Sequence, residues 1–220
     1  MTLRDCLDEF LGLFEKNLVD YFFWHLIEKN EPMSNFDTFR EFYLRDLRYL
    51  VDLFIKYLQD SKILPILPLC ELLFFLLNDI RRGQTACGVE KGRNYDIVSG
   101  KVIPCVDYGD EIVVAELKSD ELIFNDDNQV QGAFRNLITY KREFGCRECE
   151  AEFFCGGRCP VLVKTSPKRA KQYCYLTRDF LALVKASLST IKEVMATKNI
   201  TDEMLYYPYG YLNLLTDVVP

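Results

Sequence analysis

The segment CRECEAEFFCGGRC, residues 146–159, holds four of the nine cysteines of this 220-residue chain. Their spacing is Cys146-x2-Cys149-x5-Cys155-x3-Cys159. Thiolates that are crowded in this way repel one another unless a metal ion or a metal cluster neutralises them. The segment therefore predicts a loop whose fold is decided by metal ligation.

Three further cysteines extend this pattern on both sides of the segment. Cys87 is followed by twelve residues, Gly100, four residues and Cys105, and Cys174 lies beyond the segment. Gly100 lets the chain turn tightly, so that Cys87 and Cys105 can converge. Four thiolates hold one zinc ion or one [4Fe–4S] cluster, and seven cysteines are too many for one such site.

Composition argues against several other uses of these cysteines. Their number is odd and the opening MTLRDCLDEF lacks the features of a secretory signal. We therefore expect a cytoplasmic protein with reduced thiols and no disulfide framework. The single histidine, His25, excludes zinc sites that need two or three histidines. It lies in an apolar stretch, and we expect it to be a core residue rather than a catalytic one.

Charge and hydropathy narrow the choice of partners. The formal net charge is −6, which argues against nucleic acids and anionic membranes because no overall positive field attracts phosphates. The most apolar stretch, residues 63–77, is interrupted by Pro65, Pro68 and Glu71. Such an interrupted stretch does not suit a membrane span.

Hydrophobic periodicity predicts an α+β fold in three parts. Residues 1–83 are expected to be mostly helical, with one buried strand at 18–27. The capping box Thr38-x-x-Glu41 predicts the start of a long helix. A further apolar helix is expected over residues 69–82.

The second part of the chain carries strand signals and the third carries a long helix. The expected elements of the second part are hairpin strands at 95–98 and 101–104 around Ser99-Gly100, a strand within 111–117 and a short helix at 131–142. The third part begins with the cysteine-rich loop and enters a long helix after Ser166-Pro167.

The full cysteine order, C-x12-G-x4-C, gap, C-x2-C-x5-C-x3-C, gap, C, resembles the SPASM domain. This domain is the C-terminal auxiliary iron–sulfur domain of radical SAM enzymes that modify peptides and proteins. The resemblance covers Cys87 to Cys174, and more weakly residues 1–83 resemble the end of the partial barrel that precedes such a domain. It implies a helical partial-barrel remnant at 1–83 and a SPASM domain at 84–220 with a β-hairpin and a long C-terminal helix.

The resemblance also implies two auxiliary [4Fe–4S] clusters, which are oxygen-sensitive and serve electron transfer and substrate binding. The implied ligands are Cys87, Cys105 and Cys159 for the first cluster, and Cys146, Cys149, Cys155 and Cys174 for the second. Some relatives complete the first set with an extra cysteine in the stretch that corresponds to residues 88–99, which has none here. The first cluster is therefore expected to have an open iron, available to a substrate group or to another residue. Cys70 is a candidate fourth ligand only by elimination, and we expect Cys6 and Cys70 to be small buried residues on helix faces.

The sequence departs from radical SAM enzymes at one motif. These enzymes hold the cluster that cleaves S-adenosylmethionine with C-x3-C-x2-C, and no such run is present: after Cys155-x3-Cys159 the third position falls on Leu162. We therefore expect no cleavage of S-adenosylmethionine by this chain alone. It would be the C-terminal piece of a longer enzyme, or a subunit that assists a radical SAM core acting on a peptide or protein substrate.

Two other functions fit the same cysteines. A zinc-stabilised interaction module would hold zinc and would have neither colour nor redox activity. A stand-alone iron–sulfur electron carrier would need neither residues 1–83 nor an S-adenosylmethionine-binding partner.

Two remaining features have structural interpretations. The basic residues Lys164, Lys168, Arg169 and Lys171 are expected to form a solvated face. The aromatic tail at 206–211 is expected to pack back onto the body of the protein.

Overall fold

Three helices form most of the N-terminal part of the chain. They are α1 (Leu3–Phe14), α2 (Phe36–Gln59) and α3 (Leu67–Asn78). This computed structural model describes residues 2–26, 31–85, 87–92 and 95–206. Helix α2 confirms the predicted long helix, although it begins at Phe36, before the capping-box residue Thr38. Helix α3 ends before the predicted limit because Asp79 adopts a left-handed conformation with φ 51°.

The apolar stripe of α2 lies in the main hydrophobic core. Its buried members are Tyr43, Leu47, Leu50, Phe54 and Leu58. Phe39, which the periodicity also placed on this stripe, is 36% exposed. The core-facing stripe therefore starts one turn later than predicted.

Helix α8 (Pro167–Thr197) confirms the predicted long C-terminal helix and packs along α2. The Arg40 guanidinium donates to both carboxylate oxygens of Asp179, at 2.5 and 2.7 Å. The Gln172 side chain accepts from the Met33 backbone N–H at 2.8 Å and donates to the Met33 carbonyl at 3.0 Å. These bonds connect residues that are far apart in sequence and hold the two long helices in register.

Residues 18–26 form one isolated bridge instead of the predicted buried strand. Phe22 pairs in parallel with Ile66, through bonds from Phe22 N–H to the Pro65 carbonyl and from Leu67 N–H to the Phe22 carbonyl. Ile27, the last residue of the predicted strand, lies outside the described residues. A strand needs neighbouring strands on which to pair, and Ile66 supplies a single partner position.

The expectation for His25 was wrong. Its side chain is exposed rather than buried, and its ring stacks on Phe23 at 6.4 Å between centroids. Only Trp24, between these two residues, turns into the core, where its indole donates to the Tyr43 hydroxyl at 3.0 Å.

The middle of the chain forms a four-stranded antiparallel sheet in sequence order. Its strands are β1 (Asp96–Val98), β2 (Lys101–Ile103), β3 (Ala115–Lys118) and β4 (Glu121–Phe124). The first hairpin is confirmed: Ser99 and Gly100 have φ of 50° and 78°, as a tight two-residue turn requires. Strand β3 starts later than predicted because residues Val106–Glu111 form a 3₁₀ segment, and β4 was not predicted.

Short helices connect the sheet to the cysteine loop and to the end of the chain. They are α4 (Asp127–Leu137), α5 (Tyr140–Glu143), α6 (Glu152–Cys155), α7 (Pro160–Thr165) and α9 (Asp202–Tyr206). Helix α4 begins before the predicted helix because the Asp126 side chain caps it, accepting from Gln129 N–H at 3.0 Å. The predicted aromatic tail beyond residue 206 lies outside the described residues.

The chain is thus an α+β protein with two separate hydrophobic clusters. The main core joins α1, α2, α3, α8 and the cysteine loop. A smaller second cluster consists of Val89, Ile112, Val130, Phe134 and Leu137. Among the helices that the structure describes, none combines the length and apolar character needed to cross a membrane.

We expect Leu181→Ala to lower the free energy of unfolding by about 2–5 kcal/mol, because Leu181 is 1% exposed and its truncation leaves a cavity in the main core. Leu188→Ala on the same helix is the matched control. Leu188 is half-buried at the edge of this core, and its loss should stay below about 2 kcal/mol. Urea denaturation measures both, and equal losses would contradict this placement of the core.

Candidate metal centre

Four of the seven predicted ligands line one cavity. They are Cys146, Cys149, Cys155 and Cys174, the set that the resemblance assigns to the second cluster. The cavity has a volume of about 20 Å³. Its wall also contains Ala151, Glu152, Gly157, Arg158 and Thr177. We refer to it below as the four-cysteine cavity.

Short turns and one long helix position these sulfurs. Cys146 begins a 3₁₀ turn directly after Gly145, whose φ of 68° suits glycine. Cys155 is the last residue of α6, and Gly156, with φ 64°, ends that helix. Cys174 lies in the second turn of α8. The cavity therefore lies between helix α8 on one side and the tightly turned cysteine loop on the other.

Burial raises the pKa of two of these thiols, those of Cys146 and Cys174. Cys155 is buried, and the other three cysteines of the cavity are half-buried. Burial raises the pKa of Cys146 to about 12, and charge repulsion from Cys174, Cys155 and Cys149 adds to this rise. Burial likewise raises the pKa of Cys174 to about 11, although the nearby Arg158 guanidinium lowers it. Cys146 and Cys174 therefore hold their protons at neutral pH, and a bound cation would have to displace them.

A buried ion pair anchors the loop that carries Cys155. The Arg82 guanidinium donates to Glu71 of α3 at 2.7 Å, and the two side chains are 3% and 4% exposed. Arg82 also donates from Nε to the Phe154 carbonyl at 2.9 Å and from its backbone N–H to the Phe153 carbonyl at 2.7 Å. The two residues that precede Cys155 are therefore bonded to a segment that α3 holds in place.

Gly156 and Gly157 allow the loop to pass close to its neighbours. A Cβ atom at Gly156 would lie 1.8 Å from the backbone oxygen of Gln84. A Cβ atom at Gly157 would lie 2.7 Å from the Lys141 side chain and 2.8 Å from the Tyr140 hydroxyl. Both glycines also have positive φ. Contact with the Gln84 backbone therefore requires glycine at position 156, whereas at position 157 the positive φ favours glycine and the neighbours are ends of side chains.

The other three predicted ligands are divided between the two hydrophobic clusters. Cys87 and Cys105 pack against that cluster, whereas Cys159 packs against the main core. Cys105 directly precedes the 3₁₀ segment Val106–Glu111, and Cys159 directly precedes α7. The Thr85 hydroxyl lies 3.8 Å from the Cys87 sulfur.

Tyr108 brings Cys105 and Cys159 into one neighbourhood. Burial raises the pKa of Tyr108, repulsion from Glu111 and from these two cysteines raises it further, and Lys164 lowers it. The Lys164 ammonium pairs with Glu111 and lies 5.7 Å from the centre of the Tyr108 ring. The structure therefore groups Cys105 and Cys159 around this phenol.

Tyr140 lies between the two groups of cysteines. Its hydroxyl donates to the carbonyl of Arg158. Burial raises the pKa of Tyr140, and repulsion from Cys146 and Cys155 of one group and from Cys159 of the other adds to the rise. Tyr140 therefore remains a neutral phenol and serves as a hydrogen-bond donor to the connecting loop.

The two remaining cysteines lie on helices α1 and α3, and only Cys70 is buried as expected. Cys70 is fully buried in α3, and its thiol lies 3.8 Å from the Leu64 carbonyl oxygen, which confirms the expected core role. Cys6 is half-buried on α1. Over the described parts of the chain, no three side chains of the His, Cys, Asp and Glu types converge closely enough to hold a single metal ion.

The expectation of a solvated basic face was wrong at Arg169. This residue is 8% exposed, and its Nε donates to the Tyr173 hydroxyl at 3.0 Å. Its guanidinium lies 4.9 Å from the centre of the same ring. A planar guanidinium stacks on an aromatic face with little loss of packing, so burial at a helix start is tolerated.

Sequence reasoning missed the buried polar residues that support the site. They are Glu71, Arg82, Arg158 and Thr177. One signal was available: Glu71 is the only charged residue in the run LPLCELLFFLL of α3. A lone carboxylate on the buried side of an apolar helix requires a cationic partner.

The four-cysteine cavity has the donor chemistry of an iron–sulfur site. A [4Fe–4S] cluster is held by four cysteine thiolates, and here four cysteines face one common space. A volume of about 20 Å³ suits roughly one water molecule, so the thiol side chains have to turn outward to admit four irons and four sulfides. Zinc accepts the same donors, so metal analysis has to separate the two metals.

Comparison of the chain with protein-family models, with curated proteins and with solved structures finds no match. Function is therefore inferred from the cysteine pattern and from the geometry of the site.

We expect Arg82→Met to lower the free energy of unfolding by about 3–5 kcal/mol, because it leaves the Glu71 carboxylate buried without its cation. Arg81→Met is the matched control. The Arg81 side chain is 75% exposed and lies 4.0 Å from Glu152. An exposed ion pair of this kind contributes less than about 1 kcal/mol to stability, so its loss should have a small effect. Urea denaturation of both variants checks this difference. A loss at Arg82 no larger than that at Arg81 would contradict an anchoring role.

We expect Gly156→Ala to destabilise the protein by about 1–3 kcal/mol more than Gly145→Ala. Both positions have positive φ, so both substitutions strain the backbone by about 1 kcal/mol. Only the Cβ at position 156 meets the Gln84 backbone, since the Cβ at position 145 would have nothing within 4 Å. The midpoints of thermal or urea unfolding compare the two, and equal effects would rule out a tight contact at Gly156.

Proposed function

We propose that this chain binds two auxiliary [4Fe–4S] clusters as the SPASM portion of a radical SAM enzyme that modifies a peptide or protein. The observation that carries the proposal is the four-cysteine cavity. The resemblance assigns four cysteines to one cluster, and these same four line one cavity although three separate elements supply them.

The first set of ligands supports the same function. Cys105 and Cys159 lie near Tyr108, and Cys87 packs against the second hydrophobic cluster, as Cys105 does. Three thiolates leave one iron of a [4Fe–4S] cluster without a cysteine ligand. That position is proposed to be available to a substrate group or to another residue.

Residues 1–83 are proposed to be the end of a partial barrel. The parallel pairing of Phe22 with Ile66 favours this proposal, because barrel strands of radical SAM cores are expected to run parallel. S-adenosylmethionine would then act only through a core domain that precedes this chain or through a partner subunit. The proposed setting is the cytoplasm, where thiols stay reduced.

The cavity residues would hold, bury and shield the second site. When bound, a [4Fe–4S] cluster supplies one-electron transfer, with a potential set by burial, charge and hydrogen bonds. Cys155 is buried in the wall, and the neutral Tyr140 phenol holds the connecting loop through the Arg158 carbonyl. These contacts limit the access of water to the side of the cavity that faces the core.

We expect anaerobic reconstitution with iron and sulfide to give about eight irons and eight sulfides per chain, with a broad absorption band near ~400 nm. Cys155→Ser and Cys105→Ser should each reduce the iron content to about four, because each removes a ligand of one cluster only. Cys6→Ser is the control, since Cys6 lies on α1 away from both sets. It should retain about eight irons.

Metal analysis also tests the other two functions. A colourless protein that holds about two zinc ions and takes up no iron would contradict the proposal and favour a zinc-stabilised interaction module. Loss of all iron in Cys155→Ser would mean that the seven cysteines serve one site rather than two. A stand-alone electron carrier would exchange electrons without a requirement for a radical SAM core, so substrate modification with and without such a core separates it.

A further inference from the structure

Arg158 places a positive charge in the wall of the four-cysteine cavity. It lies between Cys155 and Cys159 in sequence and is 7% exposed. Among the described residues that line the cavity, it is the one basic side chain. A guanidinium remains protonated at every pH that proteins tolerate, so this charge is permanent.

The guanidinium is fixed by α8. Its Nη2 donates to the Thr177 hydroxyl at 2.8 Å, and Thr177 in turn donates to the Tyr173 carbonyl at 3.0 Å. The Arg158 guanidinium lies 5.8 Å from the centre of the Tyr173 ring. Thr177 is 2% exposed and follows Cys174 by one helical turn. The charge is therefore held on the same helix face that presents Cys174.

The main chain of Arg158 is fixed as well. Its carbonyl accepts from the Tyr140 hydroxyl, and the preceding Gly157 lies against Tyr140 and Lys141. With backbone and side chain both bonded, the guanidinium cannot swing into solvent without breaking buried hydrogen bonds. The charge acts on the thiol of Cys174. Burial raises the pKa of this thiol, and Arg158 is the strongest of the influences that lower it.

We infer that Arg158 raises the reduction potential of the cluster held by Cys146, Cys149, Cys155 and Cys174. Reduction adds one electron and one negative charge, and a buried cation stabilises the reduced form more than the oxidised form. By comparison, the Lys164 ammonium near Tyr108 is 57% exposed and already pairs with Glu111. Solvent screens an exposed ammonium far more than a buried guanidinium. This inference rests on the proposed function.

The test is a reductive titration followed by electron paramagnetic resonance on the reconstituted full chain. Cys105→Ser serves as the background, so that one cluster remains. In that background Arg158→Gln should shift the midpoint potential to more negative values, with an equilibrium constant for one-electron reduction at least tenfold smaller, or about 59 mV. Arg158→Lys keeps the charge and should shift it by less than half as much.

Arg169→Gln is the matched control. Arg169 is equally buried and lies on the same Tyr173 ring, but it is outside the cavity wall. It should leave the potential unchanged if the effect is that of a charge beside the cluster. An equal shift in Arg169→Gln, or an unchanged potential in Arg158→Gln with full iron content, would overturn the assignment to Arg158.

Iron analysis of the unmodified protein comes first and separates the two proposals. Failure to bind iron overturns the proposed function, and the inference about Arg158 with it. If Arg158→Gln loses the cluster, Thr177→Val decides, because it frees the guanidinium from its anchor without removing the charge. A more negative potential in Thr177→Val supports the inference, and an unchanged potential contradicts it.

Discussion

The buried ion pair between Glu71 and Arg82 joins the cysteine loop to the helical core. Both side chains are almost fully removed from water, so each charge depends on the other for compensation. Arg82 also donates from Nε to the Phe154 carbonyl and from its backbone N–H to the Phe153 carbonyl. The ion pair to α3 therefore fixes the path of the chain immediately before Cys155. Packing of Phe154 in the main core, against Phe75 of α3, supports the same connection.

Close contacts define the path of the chain beyond Cys155. At Gly156 the chain passes against the Gln84 backbone, which leaves no space for a side chain, and at Gly157 it lies near the ends of the Lys141 and Tyr140 side chains. It then reaches Cys159 at the start of α7. Cys155 and Cys159 thus face different sets of neighbours although three residues separate them. Cys155 lines the four-cysteine cavity, whereas Cys159 lies near Tyr108.

Features with a local cause could be predicted from the sequence. The Ser99-Gly100 hairpin and helix α8 depend on residues next to one another, and both form as predicted. The grouping of the four cysteines of the cavity, by contrast, was implied by the resemblance of the full cysteine order to the SPASM domain. The buried strand predicted at 18–27 could not be established from local sequence, because a strand forms only where another strand pairs with it. Arg169 was misjudged for a similar reason: only the fold brings it onto Tyr173.

The loop from Cys155 to Cys159 also runs between the thiols of the four-cysteine cavity and the cysteines near Tyr108. A negative charge between them would oppose deprotonation on both sides, and the group found there is Tyr140, whose raised pKa keeps it neutral. Arg158 contributes its carbonyl to Tyr140 and its cation to the four-cysteine cavity. The main chain and the side chain of Arg158 thus contact different neighbours. Because Cys159 follows Arg158 directly, one peptide unit joins the cation in the wall of the four-cysteine cavity to the cysteine near Tyr108.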